Sequence, residues 1–95
     1  MSIIEKAASE FNISPDALLK VSLETYLKHK ATKIESEMFL ISKKYGVKDI
    51  FEMEEKILKG NISENIGYDD FFLFDNLQAE EEKINNFLKE IWIKT

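Results

Sequence analysis

The chain has 95 residues, a net charge of −5, 44% hydrophobic and 33% charged residues, and no cysteine. That is one domain's worth of chain, too apolar to stay disordered, and without cysteine it has no disulfide, thiolate zinc site or cysteine nucleophile. No apolar run approaches the roughly 18 residues of a membrane span, and Glu5 interrupts what would be the apolar stretch of a signal peptide. A single soluble domain over residues 1–95, located in the cytoplasm, is expected.

Ile3, Ile4, Ala7, Ala8 and Phe11 recur at spacings of three and four, which predicts a short amphipathic helix. Asn12, tolerant of the left-handed conformation, would close it. Ser14-Pro15-Asp16 then combines an N-cap serine, a proline at the first helical position and an acid in the first turn. Beyond it Leu19, Leu23, Leu27, Ala31, Ile34, Met38, Ile41 and Tyr45 keep the helical spacing without a break. One helix of about 45 Å is expected, too long for a compact domain of this size to cover, so it should pair with a second long helix.

Lys43 and Lys44 complement the dipole of the last turn, and Gly46 is a natural C′ residue. A shorter helix is predicted from Lys48 or Asp49 to Lys59, with Ile50, Met53, Ile57 and Leu58 on its apolar side and Gly60 as its stop. Residues 61–67 read as a loop. The last helix is expected to begin near Asp69. Its seam of Phe74, Leu77, Glu81, Ile84, Leu88 and Ile91 alternates steps of three and four, a heptad pattern broken once by Glu81, with Phe87 widening the apolar stripe.

The fold class is therefore all-α: a helical hairpin or bundle of two long helices (about 15–45 and 69–93), a short N-terminal helix and a short connecting helix. Seams of this kind pair within one chain or between two. In the second case Leu23, Leu27, Ile34, Met38, Ile41, Leu77, Ile84, Leu88 and Ile91 would line a homodimer.

No catalytic or metal-binding constellation stands out in the sequence. His29 has Thr32 and Lys33 where a metal site would place an acid, no Glu is followed by His at the spacing a di-iron bundle requires, and the three glycines at 46, 60 and 67 form no phosphate loop. No catalytic, metal or cofactor site is expected, and the chain reads as a binding protein, not an enzyme. Its charge is uneven: residues 1–50 hold eight Lys against seven Asp/Glu, residues 51–95 five against eleven. An acidic C-terminal half suits a basic protein surface and disfavours nucleic acid.

The candidate partner-binding residues are the aromatic cluster Tyr68, Phe71, Phe72 and Phe74 with the adjoining acids Asp69 and Asp70, and Trp92 near the C-terminus. One helix cannot hide Phe71, Phe72 and Phe74 in a single stripe, so either Phe71 and Phe74 join the core and Phe72 packs under the 61–67 loop, or part of the cluster stays exposed as an anchor. The two acids also read as helix-start residues.

The string Ala7 to Ser14 resembles the helix–turn of DNA-binding proteins, and more closely the two helices of ribbon-helix-helix proteins. Asp16 would face phosphate, and no reading strand is expected ahead of the first helix, so DNA contact is disfavoured. Over roughly residues 7–92 the chain resembles small archaeal and bacterial helical antitoxins of type II toxin–antitoxin systems. The resemblance rests on Ser14-Pro15-Asp16-Ala17-Leu18-Leu19, Lys44-Tyr45-Gly46-Val47, Phe51-Glu52 through Lys59-Gly60, and Asp69-Asp70-Phe71-Phe72 before the Leu77 helix. It departs at Phe74, where such families often carry Trp. It implies a protein that covers the cleft of a toxin encoded nearby, commonly a ribonuclease or nucleotidyltransferase. The rival expectation is a self-associating helical scaffold or adaptor.

Overall fold

The computed structural model describes residues 2–93, with Trp92 described in its backbone alone. Those residues form four helices and no strand: α1 (Ile3–Glu10), α2 (Pro15–Tyr45), α3 (Ile50–Leu58) and α4 (Glu64–Ile93). The all-α class and the plan of two long and two short helices hold. None of these helices is long and apolar enough to cross a membrane.

The caps explain most of the boundaries. At α1, the Ser2 hydroxyl accepts from the Glu5 N–H while Glu5 reaches back to Ser2, a reciprocal capping box. Ser14 accepts from the Ala17 N–H at 3.1 Å and Pro15 needs no donor there, so α2 starts where it was expected. The reversal between α1 and α2 passes through Asn12 at φ 56°, and the Ile13 N–H closes onto the Ala8 carbonyl at 3.0 Å. Gly46, left-handed at φ 66°, ends α2. Asp49 caps α3 by accepting from the Glu52 N–H at 2.8 Å.

The start of α4 differs from expectation. It begins at Glu64, five residues before Asp69, so most of the expected 61–67 loop is helical. Ser63 stands immediately before the first turn, and the Gly67 N–H donates to its carbonyl at 2.7 Å. Gly67 is a close-packing residue inside a helix, not a loop residue: a Cβ there would lie 2.6 Å from Ile62 Cγ2.

α2 and α4 pack antiparallel into a rod of 60 × 22 × 17 Å. Ion pairs from Lys44 to Asp70 (2.9 Å) and from Lys30 to Glu80 (3.3 Å) set the register. Leu27, Ala31, Ile34 and Ile41 of α2 bury against Phe74, Leu77 and Ile84 of α4. Ile50, Met53 and Ile57 of α3 close one end of this core, with Met53 fully enclosed. At the other end α1 lies along α2.

The homodimer seam is therefore an intramolecular core. Leu27, Ile34, Ile41, Leu77 and Ile84 are buried within a single chain, and Met38, Leu88 and Ile91 are half-buried against them. Leu23 stays exposed, as does Leu19. Steps of four turn a helix by about 40°, so the run Leu19–Leu23–Leu27 drifts off the core line toward solvent. Leu58 is likewise exposed, as are Ile3 and Phe11 of α1.

Glu81 is the one carboxylate on the seam. Burial, then the facing Glu35 carboxylate, raise its pKa above the ordinary value. A raised folded-state pKa means that the charged form opposes folding, so stability rises as pH falls through that pKa. Replacing Glu81 by Leu completes the heptad and is expected to raise stability at pH 7 by about 1 kcal/mol, read as a higher urea midpoint.

Candidate protein-interaction surface

Large exposed rings and apolar chains near the closed end of the hairpin come from two adjacent elements, α3 and α4. α3 buries Ile50, Met53 and Ile57, which are three and four residues apart. Phe51 and Leu58 lie one residue outside that stripe, seven apart on the opposite side, and each is 73% exposed. The exposed acids Glu54 and Glu55 lie between them.

On the first turns of α4, Tyr68 and Phe72 are four residues apart and stack with ring centroids 6.0 Å apart. Phe71 meets both edge-on, at 6.4 Å to Tyr68 and 5.7 Å to Phe72. Phe71 is half-buried on the core, which fixes it as the base of the cluster, while Phe72 is 57% exposed. The three rings thus support one another on the surface of α4.

The sequence-predicted site residues thus separate. Tyr68, Phe72 and Asp69 are exposed and Phe71 supports them. Phe74 is 2% exposed: it belongs to the core, not to a docking surface, because its position on α4 faces α2. The side chain of Trp92 lies outside the described residues. Phe51 was missed, although the spacing of the buried trio already turns it outward, and Leu58, expected on the apolar side of this helix, is exposed instead.

Asp70 has an internal role, neither free to bind nor a helix cap. It accepts hydrogen bonds from the Tyr45 hydroxyl and from Lys44 Nζ, tying the start of α4 to the end of α2. The Tyr45 hydroxyl, then Lys44, hold the Asp70 carboxyl below its ordinary pKa, while burial, then Asp70, raise that of Tyr45. Because the Asp70 pKa is depressed on folding, its contribution is present above the unfolded carboxylate pKa and is lost in acid below about pH 4. Asp70→Ala is expected to destabilise the domain by about 1 kcal/mol at pH 7, with the difference from wild type vanishing at low pH in parallel melts.

Among the described residues no group of His, Asp and Glu could hold a metal ion, and no buried polar side-chain atom lacks a partner. His29 lies on the surface of α2, on the rim of a shallow open groove with Tyr26, Lys30, Lys33 and Glu80. No curated protein and no solved structure matches the chain. A family model matches residues 1–95 throughout, and the chain belongs to the uncharacterized protein MJ0235 family.

Proposed function

We propose that this chain is a protein-binding module that docks through the closed end of its hairpin, by Phe51 and Leu58 of α3 and Tyr68 and Phe72 of α4. The observation that carries the reading is the exposure of these four large apolar side chains on a core that is already closed without them. Apolar side chains clustered on a surface and ringed by charge are the signature of an interaction site. Glu54 and Asp69 lie exposed beside it, while Glu55 is paired with Lys59 at 2.6 Å; the two exposed acids suit a basic partner through steering and charge complementarity.

The narrower reading is a type II antitoxin, supported by the resemblance of residues 7–92. The mechanism in that case is occlusion: the aromatic cluster fills the partner's cleft and the acids cover its basic rim. The test is co-expression with the product of the neighbouring gene. A stable complex, with the neighbour toxic when expressed alone, supports the antitoxin reading. A complex with a harmless neighbour leaves the binding module and removes the toxin. Self-association without any neighbour in the complex favours the scaffold reading instead.

A further inference from the structure

The long face of the rod away from α1 and α3 carries a second seven-residue repeat beside the core seam. On α2 it runs Leu19, Tyr26, Lys33, Leu40, and on α4 Ile66, Leu73, Glu80, Phe87. All six apolar members are exposed. The two short helices pack elsewhere. Partial burial of Ala17, Lys20 and Glu24 marks the side of α2 along which α1 runs, and the start of α3 sits with Phe39, Ser42 and Gln78 around a separate groove.

The register set by Lys44–Asp70 and Lys30–Glu80 places the two repeats level with each other. Leu40 stands level with Leu73, Lys33 with Glu80, and Tyr26 with Phe87. The face is thus apolar, charged, apolar along its length. Its charged layer holds Lys30 and Lys33 against Glu37 and Glu80, so it carries no net charge. Lys30 is paired with Glu80, while among the described residues Lys33 has no ion-pair partner.

We propose that this face binds a second copy of the chain, with the twofold axis parallel to the rod. That operation lays α2 of one protomer on α4 of the other at the same level. Leu40 then meets Leu73 of the second copy, Tyr26 meets its Phe87, and the unpaired Lys33 meets its Glu80. Every helix of the resulting four-helix bundle has antiparallel neighbours. The other face-to-face twofold, across the rod, would set Lys33 on Lys33 and Glu80 on Glu80, and the repulsion of like charges disfavours it.

This dimer leaves Phe51, Leu58, Tyr68 and Phe72 free and does not depend on their binding anything. The test is sedimentation equilibrium of the purified chain, with far-UV circular dichroism to establish that each variant keeps its helicity. The wild type is expected to sediment at twice the 11.1 kDa chain mass at micromolar concentration. Lys33→Glu should weaken the dimer by about tenfold or more. Leu40→Glu, also a surface position in the single chain, should yield folded monomer. A monomeric wild type would overturn the proposal. A Lys33→Glu dimer as tight as wild type would overturn the axis and with it the pairing of Lys33 with Glu80.

Discussion

Phe74→Ala is expected to remove about 3–5 kcal/mol of stability, measured as the shift of the urea transition. The ring is 2% exposed and sits where α2, α3 and α4 meet, so truncation leaves a cavity that three helices would have to move together to fill. Small domains hold roughly 5–15 kcal/mol in total, so the variant should lose a large fraction of its stability. Phe72→Ala, two residues earlier, provides the contrast. Its ring projects from the other side of α4, and its removal should change stability by less than about 0.5 kcal/mol. The same residue type two positions apart thus separates the core from the exposed surface.

Gly67→Ala is expected to destabilise the domain by about 1–3 kcal/mol, against the usual gain of about 1 kcal/mol for such a change inside a helix. The added Cβ would lie 2.6 Å from Ile62 Cγ2 and 3.4 Å from Ile57 Cγ1. Ile62 Cγ2 is a branch methyl on Cβ, so relief requires a change of the stiff χ1 rotamer of Ile62 or a shift of the α3–α4 connection. Helicity measured by circular dichroism should persist while the thermal midpoint falls. A rise in the midpoint would mean that α3 and α4 do not approach as closely as described.

How far the sequence specified this structure differs from element to element. Ser14-Pro15-Asp16 and Gly46 each act through one or two local bonds, and the boundaries of α2 follow from them. The start of α4 depends on a tertiary contact. Gly67 reads as a loop residue until Ile57 and Ile62 are seen packed against it. Seam periodicity identifies which residues seek a partner but not whose helix supplies it. The short connection through α3 returns α4 along α2 and settles the core seam within the chain.

The candidate site was legible only in part. An aromatic cluster is visible as composition, but Phe74 and Phe72 differ in role only through the 200° between them on the helix. Asp70 gave no sign of its tie to Tyr45, which lies 25 residues away in sequence. Phe51 and Leu58, by contrast, could have been found from the stripe of Ile50, Met53 and Ile57, as could the outer repeat from its spacing of seven.

The most direct measurement compares the wild type with the double variant Phe51→Ala/Phe72→Ala, co-expressed with the neighbouring gene product and resolved by size-exclusion chromatography. The expected result is a wild-type complex that is lost in the double variant, while the variant's own thermal midpoint stays within about 2–3 °C of wild type. A complex that survives the double substitution intact would contradict the assignment of this surface to binding. A variant that unfolds would show these side chains to be part of the core.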